Sequence, residues 1–234
     1  MNTNFEIIGE GFKGCVVKFN GVDLLSKIGY KYNLETEYTN IKMLPKKDYF
    51  YNTDTVFMAD TNTLDEKIFK NKCTKYNKNI ISDLKLAKLL IPIVEGESLL
   101  MVCDKYTDQS IKKSEWFNII YLYCKLFYEI VKFNKEYNLY HNDLSLGNII
   151  YNEFEQKLTV IDFGTLDTKP TKIYNDQEKM IFGMISLLDI GIKNEKIKKW
   201  LLQNNIIDSN LNLIEKDNKI ISSISEKINN MLNV

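Results

Sequence analysis

Apolar residues along this chain change period several times, and each change marks an element. Phe5–Ile8 and Cys15–Phe19 are β-prone runs separated by glycines, and VDLLSKIGY at 22–30 is apolar but for its serine, its lysine and an opening aspartate, so residues 1–30 are expected to be strands. Over 32–44, Leu34, Ile41 and Leu44 recur on one face at helical spacing. Glu37 stands three residues after Leu34 and four before Ile41, which puts it on that face, whereas Glu35 lies off it. Residues 45–90 are rich in Lys, Asn, Thr and Asp, with apolar islands at Val56–Ala59 and Leu84–Leu90, and show no clear period. SLLMVCDKY at 98–106 reads as a buried strand running into a turn.

The strongest periodicity lies farther on. Trp116, Ile119, Ile120, Tyr123, Phe127, Ile130, Val131 and Asn134 recur at steps of three and four, which predicts a long core helix over 115–138. Ile149–Tyr151 and Leu158–Ile161 read as two short strands joined by a polar turn. Helices are expected over Glu178–Leu188, Glu195–Asn204 and Lys219–Leu232, with no internal repeat and no linker.

Composition narrows the classes. At 234 residues the chain can bury a substantial core, and 31 Lys plus Arg balance 31 Asp plus Glu, so no global charge points to nucleic acid. Cys15, Cys73, Cys103 and Cys124 are scattered without a CxxC pair, and with a single histidine they make no recognisable zinc site. They read as reduced thiols of an intracellular protein. No cationic segment followed by an apolar run opens the sequence, and the longest apolar stretches are broken by Lys125 and Glu129. A soluble cytoplasmic protein without membrane insertion is expected.

The candidate chemistry is concentrated in two segments. HNDLSLGN at 141–148 carries His141, Asp143 and Asn148, and IDFG at 161–164 brings Asp162 fourteen residues after Asn148. A base and two oxygen ligands for a metal stand there at the spacing that phosphoryl transfer uses. At the N-terminus Gly9, Gly11, Gly14 and Val16 stand in GEGFKGCVV, which matches GxGxxGxV. A strand follows the glycines as well as preceding them, which favours a hairpin over the strand-to-helix turn of a dinucleotide fold. By strand pattern alone Lys27, eleven residues after Val16, would be an outward-facing solvated residue.

Over nearly its whole length the chain resembles the protein-kinase-like superfamily, in the style of the compact kinases of large eukaryotic DNA viruses. The resemblance implies a two-lobed α+β fold with a small β-rich N-lobe at about 1–103, a hinge at about 104–108 and a shortened helical C-lobe at about 109–234. It implies ATP and Mg²⁺, with Mn²⁺ as a substitute, and a serine or threonine of a protein as acceptor. Asp143 would be the base, Asn148 and Asp162 the metal ligands, Lys27 the phosphate-contacting lysine and Glu37 its partner. Gly9, Gly11, Gly14 and Val16 would cover the nucleotide, with Cys103 as gatekeeper and Asp104 to Tyr106 as the hinge. His141 would buttress the loop and Phe163 without proton chemistry. If the chain is viral, host cytoplasm or virion would be its location.

The sequence departs from that family at several points. Asn142 stands where regulated kinases carry the arginine that receives an activation-loop phosphate. Thirteen residues separate Gly164 from Glu178, too few for a full activation segment, and no APE occurs. Glu178 is expected to take the place of the aspartate that anchors the catalytic loop, and Ser145 stands where serine/threonine kinases usually carry lysine. With so short a segment, a protein substrate would be recognised away from the cleft. Ser145 and the missing APE also suit a small-molecule kinase of aminoglycoside- or choline-kinase type, and a catalytically dead binding module is the remaining alternative.

Overall fold

The computed structural model describes residues 5–11, 14–73, 85–107, 109–171, 175–215 and 217–232, and over these the chain is α+β. It forms two compact units, Met1–Val94 with Asp162–Leu166, and Glu95–Ile161 with Asp167–Val234.

The first unit is built on a five-stranded antiparallel sheet in the order β1-β2-β3-β5-β4. Its strands are β1 (Phe5–Gly11), β2 (Gly14–Phe19), β3 (Leu24–Tyr30), β4 (Phe57–Ala59) and β5 (Leu86–Pro92). As expected, β1 and β2 form a hairpin, with Gly11 opposite Gly14. Helix α1 (Lys31–Met43) follows β3 directly and buries Leu34, Glu37, Asn40 and Ile41 as one stripe. Helix α2 (Thr63–Lys72) begins at a capping box between Asn62 and Asp65, and Asp65 also binds Lys88 of β5 at 2.9 Å. Cys15, Val17 and Ile28 alternate onto one sheet face and pack with Ile68, Phe69 and Cys73 from α2 and its end. Residues 45–90 thus hold β4, α2 and β5, a region where sequence period was silent. Of the apolar island expected at Leu84–Leu90, Leu84 lies outside the described residues.

The cysteine expectation needs correction. Cys15 and Cys73 are disulfide-bonded, with Cα atoms 5.9 Å apart, and only Cys103 and Cys124 are free thiols. Their separation of 58 residues hides the pairing in the sequence. Packing of α2 on the sheet brings them together.

The second unit is mainly helical. The long helix expected at 115–138 is α4 (Lys113–Tyr137), following α3 (Leu99–Lys105) and preceding α5 (Asp176–Ile192), α6 (Glu195–Gln203) and α7 (Asn218–Leu232). Trp116 and Tyr123 of α4 anchor it on α5, donating to the carbonyls of Leu187 and Met180, each at 2.9 Å. A three-stranded sheet of β6 (Glu97–Ser98), β7 (Ile149–Asn152) and β8 (Lys157–Val160) contains the expected hairpin after the HNDLSLGN loop.

The strand expected over 98–106 ends at Ser98, and Leu99–Lys105 form a helix. Leu99, Val102 and Cys103 are buried while Leu100 and Met101 are exposed, the i, i+3, i+4 stripe of helix α3, which Ser98 caps by accepting from the Met101 amide at 3.2 Å. A short apolar run does not distinguish a helix from a strand by composition. Cys103, Asp104 and Tyr106 therefore lie in helix α3 and at its C-terminal cap rather than at the end of a sheet strand, and Tyr106 binds Glu115 at 2.8 Å within the second unit, which begins at Glu95. Asp108 lies outside the described residues.

Close packing of α4 on α5 rests on a missing side chain. A Cβ at Gly183 would fall on the Tyr123 hydroxyl, displacing it from the Met180 carbonyl. Gly183→Ala is expected to destabilise the second unit by roughly 1–3 kcal/mol despite the helix propensity of alanine, as read from urea unfolding.

Candidate functional site

In the first unit a buried cation gathers two carboxylates. Lys27 lies on β3 opposite Val16 of β2 and Leu89 of β5, so the three share a sheet face. The lysine is buried, and its Nζ stands 2.7 Å from Glu37 Oε2, 2.8 Å from Glu37 Oε1 and 3.1 Å from Asp162 Oδ1. Burial alone would lower the pKa of Lys27, but the charges of Glu37 and Asp162 outweigh it and raise the ammonium above its ordinary 10.5. Stability drawn from this raised pKa is complete below about pH 10.5 and is lost as pH climbs through the folded value. Lys27 is therefore an ammonium at neutral pH. Glu35 instead faces solvent, 3.7 Å from Lys31, so helix face discriminated correctly between the two glutamates.

Asp162 reaches the triad because its neighbour is seated. The Phe163 ring is wholly buried, with ring centroids 5.0 Å from Phe50 and 5.5 Å from Tyr51, and its carbonyl accepts from Asn40 Nδ2 at 3.1 Å. Burial, together with the carboxylates of Glu37 and Asp162, pushes the Tyr51 phenol well above its usual range. Asp162 itself adopts φ 60°, a left-handed conformation unusual for a residue with a side chain. Sequence reasoning missed Asn40, Phe50 and Tyr51. Asn40 carried a signal, a polar residue one turn beyond Glu37 on the buried stripe.

The glycines have different surroundings. A Cβ at Gly9 would meet nothing within 4 Å, whereas one at Gly14 would come to 2.9 Å from the Ile28 carbonyl oxygen. Gly14 therefore lets β2 lie against β3, and Gly9 leaves open space on β1. Phe12 and Lys13 lie outside the described residues.

In the second unit the segment 141–148 is held by a buried carboxylate. Asp176, at the start of α5 and almost wholly buried, accepts from the backbone amides of His141 and Asn142, both at 2.8 Å, and from Asn134 Nδ2 at 3.0 Å. This corrects the assignment of the anchor to Glu178. That residue closes a capping box with Asn175 at the helix surface, each bond being 3.0 Å. Two acidic residues in one helical turn face different ways, and only the first faces the loop.

The loop then builds its own frame. His141 Nδ1 accepts from the Asp143 amide at 3.2 Å, so Nε2 carries the proton and bonds the Ile161 carbonyl at 2.9 Å. Asn142, at φ 62°, donates from Nδ2 to the Lys169 carbonyl at 3.0 Å and accepts from the Thr171 amide at 2.8 Å. Asn148 Nδ2 donates to the backbone carbonyl of Asp143 at 2.7 Å and to its Oδ2 at 3.2 Å. The side chain of Asp143 remains half exposed, and Lys179 of α5 lies 2.9 Å from its Oδ1. Lys179 was also missed by sequence reasoning, since nothing in its own neighbourhood points to residue 143. Residues 172–174 of the short segment before α5 lie outside the described residues.

Each unit separately carries an oxygen donor of the kind a hard divalent cation takes. Asp162 offers a carboxylate, and Asn148 offers its amide oxygen, because the amide nitrogen is committed to Asp143. Among the described residues no group of three His, Cys, Asp or Glu is arranged to hold a metal, and no helix is long and apolar enough to cross a membrane. In comparisons with known proteins, no family model and no curated protein matches the chain.

Two outcomes test the architecture of these residues. Glu37→Gln leaves a buried lysine with one carboxylate fewer and is expected to destabilise the first unit by about 3 kcal/mol, against less than about 0.5 for Glu35→Gln, in chemical denaturation. Asp176→Ala strips the amides of His141 and Asn142 of their acceptor and should cost about 3 kcal/mol, with those two amides exchanging fastest by hydrogen exchange. Glu178→Ala should cost no more than about 1 kcal/mol.

Proposed function

We propose that this chain is a protein-kinase-like phosphotransferase that moves the γ-phosphoryl of ATP, as its Mg²⁺ complex, to a serine or threonine hydroxyl of a protein. One observation carries the reading: a buried lysine beside a glycine hairpin, paired with a helical glutamate and with the aspartate of IDFG. A buried lysine held charged by two carboxylates is expensive as mere scaffolding and is suited to orienting phosphate oxygens.

The roles follow from the chemistry of each group. Lys27, fixed by Glu37, would neutralise and orient the α- and β-phosphates. Asp162 and Asn148 would hold Mg²⁺, which supplies charge neutralisation at the phosphates when bound. Gly9, Gly11 and Gly14 would bring backbone amides against phosphate oxygens, and Val16 would cover the nucleobase. The end of β5 and the residues after it would offer the backbone that grips adenine, in place of Cys103, Asp104 and Tyr106. Asp143 would accept the proton of the attacking hydroxyl as its oxygen bonds to the γ-phosphorus and the bond to ADP breaks. Asn148 holds that carboxylate in place. Catalysis of this kind is mainly positioning and electrostatics.

Asn142 bears on regulation. It ties residues 169–171 by uncharged hydrogen bonds, where regulated kinases need an arginine paired with a new phosphate. The enzyme is therefore active as synthesised in this reading.

Labelled ATP incubated with intact lysate proteins, their tryptic peptides and a panel of small alcohols tests the function. Transfer to intact proteins is expected, with peptides as poor acceptors. Transfer to a small alcohol with none to proteins would establish the small-molecule reading instead. Asp143→Asn should keep Mg²⁺-dependent binding of a fluorescent ATP analogue while losing about 100-fold or more in turnover, whereas Asp162→Asn should weaken the binding itself. Near-native turnover in either variant would sink the mechanism.

A further inference from the structure

The turn that starts α5 does two things to one loop. Asp176 fixes the backbone of residues 141 and 142, and one turn along Lys179 donates to the Asn142 carbonyl at 3.1 Å and to Asp143 Oδ1 at 2.9 Å. A lysine in the opening turn of a helix works against the helix dipole, which favours acidic groups there. Its side chain is 23% exposed, against 49% for that of the aspartate it meets. Within the loop itself the residue two positions after Asp143 is Ser145, which is uncharged and exposed.

We propose that Lys179 is the acceptor-side cation of this active site, supplied by α5 because the loop has none at Ser145. The inference rests on the phosphotransferase reading and deepens it. In the transfer, the hydroxyl oxygen forms its bond to the γ-phosphorus, its proton passes to Asp143, and the electron pair of the breaking bond leaves with ADP. Lys179 holds the Asp143 carboxylate toward the incoming hydroxyl and places positive charge beside the phosphoryl oxygens as they pass. Asp143 is thereby gripped from two sides, by Lys179 on Oδ1 and by Asn148 on Oδ2. The cation comes from a position 36 residues along the chain, so a scan of the loop alone would judge the site to lack it.

The test separates positioning from structural support. Lys179→Ala, Lys179→Arg and the double variant Lys179→Ala with Ser145→Lys are compared with the native chain for turnover, for KM of ATP and acceptor, for equilibrium binding of a fluorescent ATP analogue with Mg²⁺, and for thermal unfolding. Loss of the lysine should lower kcat by about 100-fold with nucleotide affinity within threefold. Arginine should retain about a tenth of native turnover, and a lysine restored at position 145 should recover about tenfold over the single alanine variant. Turnover of the alanine variant within threefold of native would overturn the proposal while leaving the phosphotransferase reading intact. So would a loss that neither arginine nor the lysine at 145 restores and that tracks a lowered unfolding temperature, which would make Lys179 a strut. A native chain that transfers phosphate to no acceptor would overturn both readings together.

Discussion

The buried ammonium of Lys27 is the constraint on which the first unit depends. A charge taken out of water costs several kcal/mol unless it is paired and hydrogen-bonded, and the sheet alone offers Lys27 no acceptor. Glu37 must therefore face inward from α1, which sets the rotation of that helix, and Asp162 must arrive from far along the chain. Phe163 meets the second requirement by burying its ring against Phe50 and Tyr51. An apolar anchor thus delivers a polar group, and the five residues Asp162–Leu166 join a unit otherwise made of the first 94.

The second unit solves a related problem by a different route. Its loop at 141–148 leaves the backbone amides of His141 and Asn142 pointing into a buried region, where unpaired donors would be destabilising. One buried carboxylate, Asp176, satisfies both. With the backbone held, His141, Asn142 and Asn148 are free to use their side chains on Ile161, on the 169–171 segment and on Asp143. The loop is thus held by neutral amides together with the Asp176 carboxylate and the Lys179 ammonium.

The disulfide adds a covalent tie in the first unit between β2 and the end of α2, inside a core already made of Val17, Ile28, Ile68 and Phe69. It closes a long loop, and closing a long loop restrains the unfolded chain most. Cys15 directly follows Gly14, so the strand leaving the glycine hairpin is pinned at its first side chain.

Local pattern determined much of this protein. The hairpin around the glycines, α1 with Glu37 inward, α4, the β7–β8 hairpin and the helices from α5 to α7 were all legible, because strand and helix periods and glycine spacing are properties of contiguous residues. The helical face chose Glu37 over Glu35, but strand pattern alone put Lys27 in solvent, and its burial against Glu37 was decided by tertiary packing. Tertiary structure decided the rest. Only packing could show that LLMVC at 99–103 coils into α3, since a short apolar run buries equally well either way. Asp176, Lys179 and Cys73 find partners 34, 36 and 58 residues away, at distances along the chain where no local period operates. Their chemistry depends on which helix end meets which loop, and that is set by the summed burial of whole elements rather than by any motif of their own.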